Sequence, residues 1–326
     1  ASDEAGLNKI FEEISKQISN PSISLGTGAV VRDVVSPYFT APTDANEIHV
    51  YTADAQADGS FADKKVFNDN PKITISGDTI EVTNFDFDKN FVSSTPREGN
   101  FYGRKLIVEF NVKPKPGFLG GNNVPTNGTE SGVYFNDKDG NPKSEKFDVP
   151  NTDVAIPAIK KITAADKNVY LMQGLTEEQL KEGVTVTLNA QDSEGKDITL
   201  DLSPEAKNYG LEDWQTEFVT IDVELTDNEG QEIKPEDLIE DQTYNVKVTI
   251  SPKRPATEGE GVPSQNKTGE VQINVFKPEI TWKDSQIDLG QTPNYQDQNF
   301  EKVEWKHQPK EGNPVPSLYH RGTADN

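Results

Sequence analysis

The sequence holds no cysteine, one methionine, three histidines and three tryptophans in 326 residues. Without cysteine there is no disulfide framework, no thiolate metal site, no iron–sulfur cluster and no cysteine nucleophile. His49, His307 and His320 lie far apart, none beside another ligand type at metal spacing, so surface or edge positions are the simplest reading. Positive charge is also scarce: 32 Lys and Arg against 55 Asp and Glu leave a net charge of -23. That is the wrong sign for a phosphate backbone or an anionic membrane surface, so neither nucleic acid nor membrane is an expected partner. No apolar run approaches a membrane-spanning length, and the first residues lack the basic start and apolar centre of a signal peptide. The one GxG, Gly26-Thr27-Gly28, precedes a strand pattern instead of following one, which makes it a turn.

What is present is a chain long enough for two or three domains, with 33% hydrophobic residues to supply modest cores. Residues 1–20 carry a helical stripe of Leu7, Ile10, Phe11, Ile14 and Ile18, stopped by Asn20-Pro21. A lone amphipathic helix followed by β patterns reads as the closing element of a domain that begins upstream. From 21 to 157 short strands dominate: Ala29–Val35, Glu47–Tyr51, the Ile73/Ile75 and Ile80/Val82 pair around Gly77-Asp78, and Leu106–Val112. A second unit spans 158–277. It has one short helix, capped by Thr176 with Gln179 as the capping-box partner and stopped at Gly183, and its clearest half-buried strand is Tyr244–Ile250. Its Pro- and Gly-rich stretch 251–268 reads as a long exposed loop. Residues 278–326, with Ile280–Lys283, Ile287–Gly290 and Val303–Lys306, read as a truncated third β unit or as added strands. The expected fold class is all-β: tandem immunoglobulin-like β-sandwich domains with a short N-terminal helix.

Candidate chemistry is sparse. Asp137, Asp139, Asn141 and Asp148 occupy positions 1, 3, 5 and 12 of a calcium-type loop, but Gly140 and Pro142 depart from that pattern, which leaves a plain hairpin turn as the simpler reading. Asp227-Asn228-Glu229-Gly230 is a turn of the same kind. Trp214, Trp282 and Trp305 could stack on sugars, but isolated tryptophans more often pack cores. With 55 acidic residues, no carboxylate pair stands out as a glycosidase site. No turnover chemistry and no cofactor are expected.

Gly117-Phe118-Leu119-Gly120-Gly121-Asn122-Asn123-Val124-Pro125-Thr126-Asn127, with Gly132-Val133-Tyr134 after it, resembles a segment of cell-wall-anchored adhesins and pilus-tip subunits of Gram-positive bacteria. Arg32-Asp33-Val34-Val35-Ser36-Pro37-Tyr38-Phe39 and Val275–Ser285 resemble the same family. The resemblance implies an extracellular stalk downstream of a von Willebrand factor A domain, whose last helix residues 4–19 would be. The A domain would be its partner in the same chain, and a host matrix or cell-surface ligand a further one. The Asp-x-Ser-x-Ser motif of such A domains and a Leu-Pro-x-Thr-Gly sorting signal are both absent. The family also implies Lys–Asn isopeptide cross-links, for which Lys161, Asp222 (or Glu224) and Asn274 have the usual order in the second unit; in the first, Asn151 lies near the last strand but Arg32 stands where a lysine is needed. Against the second-unit triad, Asn274 falls on the opposite strand parity to Val271, Ile273 and Val275. A ligand-binding module, working through loops 117–132 or 251–268, is the alternative reading. An accessory region of a polysaccharide-degrading enzyme is a third.

Overall fold

The computed structural model describes residues 28–56, 60–87, 104–137, 139–165, 168–171, 175–257, 263–276, 279–281 and 302–304. The expected N-terminal helix lies outside them. Two compact units are present, and they are not consecutive in sequence. The first takes the described residues up to Ile156 together with Asp213–Val219 and Pro252–Gln265; the second takes Pro157–Glu212, Thr220–Ser251 and the described residues from Asn266 onward. A linear boundary near residue 158 therefore assigns two segments to the wrong core.

Among the described residues the first unit contains twelve strands: β1 Val30–Val34, β2 Phe39–Thr40, β3 His49–Ala55, β4 Phe61–Val66, β5 Lys72–Ser76, β6 Thr79–Thr83, β7 Arg104–Glu109, β8 Lys113–Pro114, β9 Gly121–Pro125, β10 Gly132–Asn136, β11 Pro142–Lys146 and β12 Asn151–Val154. A five-stranded sheet, β11-β10-β1-β6-β5, and a three-stranded sheet, β4-β3-β7, share one core, with the short pairs β2-β8 and β12-β9 beside them. The register explains why these strands choose each other. Val31 pairs with Val133 on one side and Val82 on the other, and Val82 with Ile73, so a single apolar rung crosses four strands. Val50 faces Val108 in the second sheet. Gly77-Asp78 closes the β5–β6 hairpin with a positive φ at Gly77, as a two-residue turn requires.

The second unit holds β13 Ile159–Ala164, β14 Asn168–Tyr170, helix α1 Glu177–Lys181, β15 Val184–Gln191 and β16 Asp197–Asp201. Helix α2, Asp213–Thr216, belongs to the first unit, after which come β17 Val219–Thr226, β18 Gln242–Pro252, β19 Lys267–Phe276, β20 Glu279–Thr281 and β21 Lys302–Glu304. Its sheets are β13-β15-β16 and β14-β19-β18-β17, plus the β20-β21 pair. β14 runs parallel to β19. Tyr244, Val246, Val248 and Ile250 are buried at every second position of β18, as are Val271, Ile273 and Val275 of β19 and Val184, Val186 and Leu188 of β15. Alternating burial on antiparallel strands is the signature of a sandwich with one wet face on each sheet. The fold is thus all-β, built of immunoglobulin-like β-sandwich units.

Local turn chemistry is repetitive. Asp137, Asp192 and Asp227 each accept hydrogen bonds from the amides two and four residues ahead, at 2.8–3.0 Å, and Gly140, Gly195 and Gly230 follow at φ 83°, 81° and 82°. One device therefore closes three hairpins. At α1, Thr176 Oγ1 accepts from Gln179 N (3.3 Å) and Gln179 Oε1 from Thr176 N (2.9 Å), the capping box read from the sequence. Thr176→Ala should lower stability by about 1 kcal/mol in urea denaturation, because the Gln179 amide loses its side-chain acceptor. A change within error would mean that α1 is held by Leu180 packing alone.

Candidate functional site: a clasp in the first unit

Gly117–Asn127 forms a platform inside the first unit. Phe118, Leu119, Asn122 and Val124 are buried, and Leu119 is fully so. Gly120 (φ 76°) and Gly121 (φ 130°) are required by what lies on them. A Cβ at Gly120 would sit 2.6 Å from Ala155 O, and one at Gly121 would sit 2.5 Å from Phe218 Cβ. Phe218 comes from the returning segment 213–219 and is 1% exposed. Its ring meets Tyr38 edge-on at 4.8 Å and Phe118 at 6.1 Å, while the Arg254 guanidinium covers it at 4.4 Å. Leu119 N donates to Gln215 O (3.0 Å), and Gln215 Nε2 donates to Gly117 O (2.9 Å). The Tyr38 hydroxyl donates to Glu217. Burial, then that neighbouring carboxylate, push the Tyr38 phenol up to about 12.

The described parts of the second returning segment, 252–257 and 263–265, are held largely by side chains, besides the backbone bond from Lys253 N to Phe218 O (2.9 Å). Asn122 Oδ1 accepts from Ser264 N (2.7 Å) and its Nδ2 donates to Arg254 O (3.3 Å). Asp153 accepts from Asn123 N (2.9 Å), Thr257 N (3.0 Å) and Thr257 Oγ1 (2.8 Å). Ser264 Oγ accepts from Ile156 N (3.1 Å), and Arg254 Nη1 donates to Asn123 O (3.2 Å). A buried backbone amide must find an acceptor, and these polar side chains supply it where no strand is available. Ser264 is buried, whereas Lys253, Arg254, Pro255, Pro263, Gln265 and Asn266 are exposed, so the described part of 251–268 is largely the exposed stretch that its composition suggests, tied down through Ser264.

A third feature joins two segments that the sequence presents separately. Asp33 shares strand parity with the buried Val31 and Val35, so its carboxyl points to the core side of β1. Asn127 Nδ2 (2.8 Å) and Ser131 Oγ (3.3 Å) donate to its Oδ1. Gly128 N binds Val34 O (2.6 Å), Ser36 N binds Thr126 O (2.9 Å) and Ser131 Oγ takes Val34 N (2.9 Å), which closes residues 126–131 over this end of β1. Burial drives the Asp33 carboxyl up to about 6, against the two hydrogen bonds that favour its charge.

The residues singled out by sequence stand elsewhere. Lys161 and Asp222 are exposed and Asn274 is half-buried, while Glu224 pairs with Lys247 at 3.3 Å. The exposure of Lys161 does not supply the buried setting that the cross-link chemistry calls for. Asn151 starts β12, opposite Pro125. Asp137, Asp139 and Asn141 make the β10–β11 turn, but the whole of β11 separates them from Asp148, on the order of 16 Å of extended chain. Asp137 is held below its usual range by the Asn141 backbone amide and so is spent on the turn. Among the described residues no group of three or more His, Asp or Glu could hold a metal ion. Trp214 packs against the first core, with the Lys115 ammonium 5.3 Å above its ring; Trp282 and Trp305 lie outside the described residues, as do His307 and His320. His49 is exposed on β3. Asn122, Asp153 and Phe218 were not singled out by sequence reasoning. The adjacent glycines at 120 and 121 were the available signal, since paired glycines mark a place where other chain comes close. No family model matches this sequence, and no curated protein matches it significantly.

Proposed function

We propose that this chain is a structural spacer: the stalk region of a bacterial surface adhesin or pilus-tip-like protein, extracellular and wall-anchored in its parent, projecting an adhesive A domain that precedes it. The observation that carries the reading is where the platform's polar groups go. Asn122, Asn123 and Asp153 are engaged within the first unit in holding returning chain. Loops 117–132 and 251–268, on which ligand binding would depend, supply buried residues to that clasp. A net charge of -23 suits a projecting element that must stay soluble and separate from its neighbours.

The test is binding by the intact 326-residue chain to immobilised host matrix proteins and to a glycan array. A spacer gives no saturable signal at micromolar concentration. Saturable binding that is lost when exposed residues of 126–131 are substituted would overturn the spacer reading in favour of a ligand-binding module.

A further inference from the structure

We infer that Asn127-Gly128 is a deamidation site gated by the 126–131 loop: the closed loop protects the Asn127 amide, and opening lets it convert to a carboxyl that keeps the loop from closing again. It is the only Asn-Gly pair in the sequence. Glycine in second place matters because it has no Cβ to shield the backbone nitrogen that must attack. The reaction needs only water. The Gly128 nitrogen gives its proton to water or hydroxide and bonds to Asn127 Cγ, closing a cyclic imide, while the Cγ–Nδ2 bond breaks and ammonia leaves with a proton taken up from solvent. Water then opens the imide at either carbonyl, giving aspartate or the isomer in which the chain runs through the side chain. No electrons are transferred.

In the folded unit each reacting group is tied. Gly128 N, the nucleophile, donates to Val34 O at 2.6 Å. Asn127 Nδ2, the leaving group, donates to Asp33 Oδ1 at 2.8 Å, and Asn127 Oδ1 accepts from Thr126 Oγ1 at 2.8 Å. The backbone of Asn127 is bridged to Val35, and Ser36 N donates to Thr126 O at 2.9 Å. Swinging Cγ onto the Gly128 nitrogen breaks the bonds at Nδ2, Oδ1 and Gly128 N together. Each such bond lowers the open population several-fold, so the three slow conversion about a hundredfold relative to the unfolded chain. Thr129 and Glu130 are exposed, so water reaches the loop once it opens.

Conversion then blocks the return. Either product sets a carboxyl oxygen against Asp33 Oδ1 where an N–H donor stood, and two like charges at that distance repel. The cations nearest in the sheet are already engaged, Arg32 with Glu81 at 2.8 Å and Lys146 with Glu130 at 2.7 Å. The isomer also adds a methylene to the backbone, which shifts Gly128 N away from Val34 O. Opening of the loop is reversible, but conversion at Asn127 makes it one-way.

Peptide mapping by mass spectrometry on the intact chain, held in mildly alkaline buffer with and without urea, tests the gate. Conversion at Asn127 should be about a hundredfold slower in the folded chain; equal rates overturn the proposal. Ser131→Ala removes the hydroxyl that accepts from Val34 N and donates to Asp33. It should speed conversion in the folded chain several-fold and leave the rate in urea unchanged, and an unchanged folded rate counts against the gate. Gly128→Ala, whose Cβ would meet Val34 Cγ1 at an ordinary 3.4 Å, should slow conversion in both conditions. The one-way step is read by amide exchange at Gly128 and Ser131. Asn127→Asp, which adds a charge, should speed exchange at neutral pH more than Asn127→Ala, which only removes the donor. Equal exchange in these two variants would show that the carboxyl does not hold the loop open, and would overturn the proposal.

Discussion

Phe218→Ala should destabilise the first unit by about 3–5 kcal/mol, although residue 218 sits at the threshold of a strand that continues into the second unit. The side chain is 1% exposed and is bounded by Tyr38, Phe118, Arg254 and the backbone of Gly121. Truncation removes a whole ring from this contact set. Gly121 has no side chain with which to fill the space, so the site cannot collapse from that side. The Tyr38 hydroxyl would keep Glu217 as acceptor, but the ring would lose its edge-on partner. Urea denaturation followed by near-ultraviolet circular dichroism should show an earlier midpoint for the aromatic signal of the first unit. Val66→Ala, at a residue 62% exposed, serves as the control and should fall within about 0.5 kcal/mol of wild type. Equal effects for the two substitutions would mean that segment 213–219 is not part of the first core.

This expectation also shows where reading the sequence reaches its limit. Period-two alternation exposes a strand and its buried face, which is why Tyr244–Ile250 and the strands around the Gly77-Asp78 turn were legible from residues alone, while Thr176 and Gln179 at capping-box spacing made the helix cap legible. Alternation does not reveal which core a face joins. Phe218 and Val219 look like the opening of β17, and nothing local says that the phenylalanine belongs to residues a hundred positions earlier. Polarity was a fair guide to the exposed residues near 252–265 but did not show where that segment is tied down: Ser264 is buried, its N–H donates to Asn122 and its Oγ accepts from Ile156 N, and Thr257 binds Asp153. Asn274 was legible by parity: Val271, Ile273 and Val275 are the buried residues of β19. Asp33, an acid in phase with two core valines, was not singled out although parity offered the signal, and the sequence could not say that Asn127 and Ser131 would meet it.

Gly121→Ala should have the other large effect, and its comparison with a second glycine separates backbone conformation from packing. Gly121 and Gly77 both have positive φ, 130° and 59°. A Cβ on Gly77 meets nothing within 4 Å, so Gly77→Ala carries only the conformational penalty of a left-handed residue, about 1 kcal/mol. At Gly121 the φ lies in a region that is nearly closed to residues with a Cβ, a cost of order 1–3 kcal/mol. The new methyl would also lie 2.5 Å from Phe218 Cβ and 2.6 Å from Phe218 O, contacts too short to survive. Neither atom is the free end of a flexible side chain. Relief therefore requires moving the backbone at 218, and with it the ring whose loss alone costs several kcal/mol. Gly121→Ala should consequently cost more than about 3 kcal/mol and release the 213–219 segment, which would be seen as faster amide exchange at Leu119, whose N–H binds Gln215 O. The two alanine variants should differ by at least twofold in lost stability, and similar losses would show that Phe218 does not rest on this glycine.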